Sequence, residues 1–149
     1  MTTEQSNNTE TEDNYQIVEE DTGPDYSQEE LAEIFDSLLF TGGYEETVTI
    51  RNKLKVVFRS RSAAETSEIS QVLDAKKYQL ASTFIEQRAL WNLAYSLVSY
   101  NGTKAPIDPK DKYQFVARFP AHVVSVLSSE LVKFDAKVEA ACKTGEENF

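Results

Sequence analysis

The chain has 149 residues, of which 40% are hydrophobic and 11% aromatic, enough for one domain with a substantial core. Its single cysteine, Cys142, excludes an internal disulfide, and no cluster of Cys and His has the spacing of a zinc site. The formal net charge is −10, and no stretch approaches the roughly 20 apolar residues that span a bilayer, so we expect an intracellular protein without a membrane segment.

The negative charge is concentrated at the start of the chain. Residues 1–46 hold 14 of the 25 acidic residues and none of the 15 basic ones. The formal charge is therefore −14 over residues 1–46 and +4 over residues 47–149. Within residues 1–23, only Tyr15, Ile17 and Val18 offer apolar anchors, too few to offset the entropy of ordering. We predict a disordered acidic arm, either a solubilising tail or a docking arm that uses the motif "NYQIVEED".

An acidic amphipathic helix is predicted within residues 24–46. Ser27 and Glu30 have the spacing of a capping box, and Gly42 with Gly43 stops the helix, so it runs from roughly Gln28 to Phe40. A helix this short is marginal alone, so its apolar face must dock on the body or in a partner's groove. That face consists of Leu31, Ile34, Phe35, Leu38 and Leu39.

Residues 47–149 are predicted to form a β-hairpin followed by a helical domain. Apolar residues alternate in "TVTIRNKLKVVFRSRS", which is typical of half-buried strands. A three-residue loop at Arg51-Asn52-Lys53 keeps the apolar side chains on one face, with Asn52 or Lys53 at positive φ. A two-residue loop would mix the faces. The hairpin carries five cations: Arg51, Lys53, Lys55, Arg59 and Arg61.

The rest of the chain is predicted to be helical. A capping box at Ser62 and Glu65 opens one helix, and the stretch from Asp74 to Lys77 is either a break or a continuation of it. A central helix extends from about Lys76 to Tyr100, where Asn101-Gly102 caps it. Asp108 starts a short helix that Pro120 interrupts. The last helix, from about Ala121 to Lys143, has a narrow apolar seam, which at this length favours packing inside a bundle over a free coiled coil. The predicted fold class is mainly α with a small antiparallel hairpin.

Candidate catalytic chemistry is sparse. His122 is the only histidine, and Cys142 follows two alanines in the last helix, where a small buried hydrophobe is expected. The chain has no Gly-rich phosphate loop and no nucleophile in a sharp strand-to-helix turn. We therefore predict a noncatalytic protein without a cofactor, a metal or a small-molecule substrate.

The five hairpin cations suggest three ligands: nucleic acid, the chain's own acidic arm, or an acidic protein. Without interleaved exposed aromatics, they would bind a nucleic-acid backbone only weakly and in a salt-sensitive way, and the arm would compete for them. Self-masking or an acidic partner is favoured over nucleic acid, and an ordinary solvated strand face remains the alternative to any binding role.

The hairpin and its helix, "VTIRNKLKVVFRSRSAAETSEI", resemble the start of small tail and baseplate proteins of tailed bacteriophages. The downstream order is also similar, with "FIEQRALWNLAYSLVSYNG", then "RFPAHVVSVLSSELVKFDAKV" and a short "ENF" end. The resemblance covers about residues 48–149 and includes no catalytic motif. It implies an assembly role, either as a subunit of the particle or as a chaperone for tape-measure or hub proteins.

The sequence therefore predicts a phage protein that docks on other tail proteins, in the host bacterial cytoplasm during assembly or in the virion tail, with a homo-oligomer left open. The ten predicted contact residues are the five hairpin cations and the five apolar residues of the acidic helix. Two alternatives remain: an effector or regulator that binds a host protein, and a weak nucleic-acid-binding module.

Overall fold

The computed structural model describes residues 26–78 and 80–147. The helices are α1 (Gln28–Thr41), α2 (Ala63–Lys76), α3 (Ala81–Ser96), α4 (Pro109–Ala117) and α5 (Ala121–Glu147). The strands are β1 (Glu45–Ile50), β2 (Leu54–Arg59), β3 (Leu97–Tyr100) and β4 (Thr103–Lys104). The predicted class, mainly α with a small antiparallel β element, is confirmed. The predicted disordered arm, residues 1–23, lies outside the described residues.

Local signals in the sequence set several helix ends. The Ser27 hydroxyl accepts a hydrogen bond from the backbone N–H three residues later, and Gly42 ends α1 with a φ of 80°. Ser62 and Glu65 form the predicted reciprocal capping box at the start of α2. The Asp108 carboxylate caps α4. Each cap satisfies backbone N–H groups that lack a partner within the helix.

The sheet has the order β1-β2-β3-β4, and all its strand pairs are antiparallel. The hairpin of β1 and β2 has the register predicted for a three-residue loop, with the pairs Glu46 and Phe58, Val48 and Val56, and Ile50 and Leu54. This register turns Val56 and Phe58 into the core, where both are fully buried. The opposite face carries Thr47, Thr49 and Lys55.

The predicted central helix exists as α3, which covers only Ala81–Ser96, so both ends of the predicted range, from about Lys76 to Tyr100, are wrong. Lys77 adopts a left-handed conformation with a φ of 47°, which ends α2 before α3 begins at Ala81. The last four residues of that range form β3, which pairs with β2 through an irregularity between Val57 and Phe58. Asn101 and Gly102, both at positive φ, form the turn between β3 and β4 rather than a helix cap. The β element is therefore larger than the predicted hairpin.

One hydrophobic core joins the sheet to the helices behind it. Its fully buried members come from β2, α3, β3, α4 and α5, and the Phe58 and Phe134 rings lie 5.9 Å apart. The apolar seam of α5 therefore packs inside the domain, as predicted, and the helix extends past Lys143 to Glu147. The cluster comprises Val56, Phe58, Leu93, Ala94, Leu97, Val116, Leu127, Leu131 and Phe134.

Helix α1 docks on its own body, along α5. Leu31 and Ile34 are buried against Ala141, and the ring of Phe35 packs closely over Gly145. Lys137 lies one turn before Ala141 on α5, and its ammonium is 2.9 Å from Glu30 of α1 and 2.5 Å from Glu46 of β1. A single cation thus joins the first helix, the first strand and the last helix.

Candidate partner-binding surface

The tip of the first hairpin is built on two left-handed residues. The Lys53 backbone N–H donates to the carbonyl of Ile50 at 3.1 Å, and Arg51 and Asn52 between them have φ values of 52° and 58°. Positive φ at both central residues is the geometry of a type I′ turn, whose twist matches that of the strands. The predicted positive φ at Asn52 is confirmed. The other turn residue at positive φ is Arg51, and not Lys53. The turn exposes the side chains of Arg51 and Lys53.

Three of the five hairpin cations, Arg51, Lys53 and Lys55, are exposed and form no ion pair with any described residue. A fourth exposed cation, Lys104 of β4, lies on the same face of the sheet. It pairs with Ser99, which pairs with Val57, and Lys55 precedes Val57 by two residues on the same strand. Cross-strand partners point to the same side of a sheet. We call Arg51, Lys53, Lys55 and Lys104 the cationic tip.

Lys104 is not among the residues predicted from the sequence, because Asn101-Gly102 is typical of a helix cap. The dipeptide Asn-Gly is also the strongest short signal for a hairpin turn. That interpretation would have placed Lys104 on a strand beside β3. It would thereby have placed Lys104 on the face of the sheet that carries Lys55.

Arg59, at the base of the hairpin, is engaged within the fold. It forms a two-pronged ion pair with Glu65, the residue that closes the capping box of α2. Burial would raise the pKa of Glu65, but the hydrogen bonds from Arg59 and from the Ser62 backbone outweigh it and lower that pKa to about 2. The side chain of Arg59 therefore connects β2 to the start of α2.

Arg61 is also engaged within the fold. Its guanidinium donates to the hydroxyl of Ser96 at 2.5 Å and pairs with Asp135 at 2.8 Å. Ser96 is fully buried at the end of α3, and the Arg61 side chain is only 17% exposed. Arg61 thus connects the β2–α2 junction to α3 and α5, and contact of Arg59 or Arg61 with a partner would require these ion pairs to open.

The five apolar residues predicted as contacts on α1 also divide by exposure. Leu31 and Ile34 are buried, while Phe35 and Leu38 are partly buried. Leu39 is 52% exposed. Next to it, Phe40 is 83% exposed, although it is predicted only as the end of the helix and not as a contact residue. Only Leu39 of the predicted apolar set therefore presents most of its side chain to solvent.

A groove of about 800 Å³ lies between α3, α4 and α5. Ile85 on α3 and Val132 on α5 are exposed at its walls, at 65% and 67%. Phe119 lines the groove and lies 4.7 Å from the ring of Tyr100, the last residue of β3. Because Tyr100 pairs with Val56, the Phe119 side of the groove adjoins the sheet end that carries the cationic tip.

The described residues contain no group of three or more His, Cys, Asp and Glu side chains that could hold a metal ion. His122 is exposed at the start of α5, and burial followed by the charges of Glu146 and Glu139 raises the pKa of the Cys142 thiol. Over the same part of the chain, no single helix is long and apolar enough to cross a membrane. Only α4 and α5 counted together meet both the length and the hydropathy required, and a bend of 119° separates them.

Comparison with known proteins adds no family to these observations. No protein-family model, curated protein or solved structure matches this chain.

Proposed function

We propose that this chain is a noncatalytic assembly protein of a tailed bacteriophage that docks on an acidic segment of another tail protein. It would act as a tail or baseplate subunit or as a chaperone for a tape-measure or hub protein. The order of hairpin, capped helix and helical body supports this proposal through its resemblance to small tail proteins. The observation that carries the docking mechanism is the cationic tip.

The tip is suited to electrostatic docking because its charges are exposed and held on a rigid support. Lys55 and Lys104 stand on paired strands, and the turn at Arg51 and Asn52 is closed by a backbone hydrogen bond. Each exposed ion pair with a partner is worth only about 0.2–1 kcal/mol, so four cations act mainly by speeding and orienting association. We therefore expect binding that weakens as the salt concentration rises.

Copurification with the other tail proteins tests the proposal. The variant Arg51→Ser/Lys53→Ser/Lys55→Ser removes three tip charges and leaves every described ion pair in place. The matched control, Lys76→Ser/Arg88→Ser/Lys110→Ser, removes three exposed cations from α2, α3 and α4. We expect the tip variant to lose most of the copurifying protein at physiological salt, and the control to retain it. Equal recovery with both variants would refute docking through the tip.

The identity of the complex is a separate question, and mass spectrometry of purified virions addresses it. Detection at a stoichiometric copy number favours a structural subunit. Absence from particles, combined with tip-dependent binding to a tape-measure or hub protein, favours a chaperone. Absence from particles with no tail protein bound would refute the assembly role.

A further inference from the structure

We propose that the acidic triplet Glu19-Glu20-Asp21 of this chain binds the cationic tip when no partner is present. This inference deepens the proposed function, since it concerns the same surface, and its occupant belongs to the chain itself. The argument depends on where the described chain begins, how far the tip lies from that point, and which charges surround it.

The described chain begins close to the base of the first hairpin. The ring centroid of Tyr26 lies 6.0 Å from the ammonium of Lys137, and that ammonium is 2.5 Å from the carboxylate of Glu46 on β1. Tyr26 therefore lies beside the early part of β1. Residues 1–25 continue from this point.

The distance from this point to the tip matches the length of chain that is available. Ile50 is four positions after Glu46, which at a strand rise of about 3.3 Å per residue is about 13 Å. Glu20 is six positions before Tyr26, and an extended chain covers up to about 20 Å over that length. The acidic triplet can therefore reach Arg51, Lys53 and Lys55 of the tip, with slack for a path around the strand, whereas Lys104 lies three strands away from β1.

The charges favour the tip over the surface near Tyr26. Residues 1–25 contain eight acidic residues and no basic one. Around the entry point, α1 exposes Glu29, Glu33 and Asp36, which repel the triplet, and Lys137 is already paired with two carboxylates. The cationic tip, by contrast, carries four exposed cations without a described ion pair. Its charges are the nearest unneutralised ones along β1.

This contact would make the tip selective. A tethered segment competes at a high effective concentration, so a ligand must displace it before binding. Polyanions that bind the tip only weakly, as expected for nucleic acid, then fail to displace the acidic triplet. A partner whose acidic segment binds the tip more tightly displaces it. If the triplet covers the tip for about nine-tenths of the time, the apparent affinity for a competing polyanion falls about tenfold.

The test uses the full chain and two variants that remove the same charge. One variant is Glu19→Gln/Glu20→Gln/Asp21→Asn, and the control is Glu4→Gln/Glu10→Gln/Glu12→Gln, whose sites lie further from Tyr26. The first measurement is the backbone amide NMR spectrum of the tip. We expect the triplet variant to shift the amide resonances of Arg51–Lys55, and the control to leave them near their wild-type positions.

The second measurement is binding of a size-defined heparin oligosaccharide, used as the polyanion probe. We expect the triplet variant to bind it several-fold to about tenfold more tightly than the control does. Tip resonances that coincide in the wild type and the triplet variant would overturn the contact, and so would equal heparin affinity of the two variants. Neither measurement includes a tail protein, so the intramolecular contact and the proposed docking can fail independently.

Discussion

Lys137 is the most connected cation in the described part of the chain, and its replacement by methionine tests how α1 and β1 are held to α5. Its ammonium contacts Glu46 at 2.5 Å and Glu30 at 2.9 Å, and its side chain is only 14% exposed. Burial would lower the pKa of Lys137, but the hydrogen bonds to these two carboxylates outweigh it and raise the pKa above its ordinary value. The charged form is therefore the one that the fold stabilises.

The expected loss of stability follows from what Lys137→Met leaves behind. Methionine keeps most of the apolar stem but removes the charge, so Glu46, at 24% exposure, remains partly buried without its cation. Breaking a fully buried pair costs about 3–5 kcal/mol, and a hydrogen bond to a charged group contributes about 1.5–3 kcal/mol. Because Glu30 is 43% exposed and partly hydrated, we expect a loss of about 2 kcal/mol. For a chain of this size, that corresponds to about 4–8 °C in Tm.

Urea denaturation followed by the fluorescence of Trp91 measures this loss, since Trp91 is the only tryptophan and packs 4.6 Å from Tyr113. The matched control is Lys133→Met, one turn earlier on α5, where the side chain is 72% exposed and pairs only with Glu130. We expect the control to cost less than about 0.5 kcal/mol. If the two variants were equally stable, the connecting role of Lys137 would be refuted.

Three further predictions concern the turn, the close contact of α1 and α5, and the response to acid. Asn52→Gly should raise the free energy of unfolding by about 0.5–1 kcal/mol, because glycine adopts the φ of 58° without strain; a thermal melt measures this, and a lower Tm would contradict the turn assignment. Gly145→Ala should lower stability by about 1–2 kcal/mol in urea titrations, because an added Cβ would overlap the Phe35 ring, whereas exposed Lys143→Ala should change it by less than about 0.5 kcal/mol. Glu65 has a folded pKa of about 2, below its ordinary 4.5, so its stabilisation is complete above pH 4.5 and is lost as the pH falls towards 2. The stability gap between the wild type and Glu65→Gln, about 2 kcal/mol at pH 7, should therefore close over that range, and a gap independent of pH would contradict the pairing with Arg59.

Local patterns were sufficient to predict the elements whose ends carry their own signals. Ser27, Ser62 and Asp108 each cap the helix that the sequence assigns to them, and the alternation on both sides of Arg51-Asn52-Lys53 predicts the observed hairpin register. These features depend on residues that lie close together in the chain. The interactions that determine the helix caps and the hairpin register can therefore be predicted from a short segment of the sequence.

The strand β3 could not be predicted in this way. Leu97–Tyr100 continues the apolar pattern of α3 without a Gly or Pro, so periodicity alone extends the helix. Its strand conformation is stabilised by pairing with β2, about 40 residues earlier, and by the burial of Leu97 in the core. Tertiary pairing overrides local propensity here.

Only part of the candidate site was predicted, because several of its contacts join residues that are far apart in the chain. That Arg51, Lys53 and Lys55 carry charge and stand near a turn follows from the sequence. The ion pair of Arg61 does not follow from the sequence, because its partner Asp135 lies 74 residues later. Likewise, Leu31 and Ile34 show an apolar face, but only the fold shows that α5 covers it.

The division of the hairpin cations follows from their distance to the body. Near the base, Arg59 and Arg61 are partly buried, and a charge removed from water is tolerated only with a partner, so the fold supplies Glu65 and Asp135. Towards the tip, water solvates each cation, so no internal partner is needed and the charges stay available to a ligand. Replacing Arg59 would therefore weaken α2 as well as any docking surface, and a loss of binding in that variant could not be assigned to either cause. Docking is tested cleanly only by the tip residues.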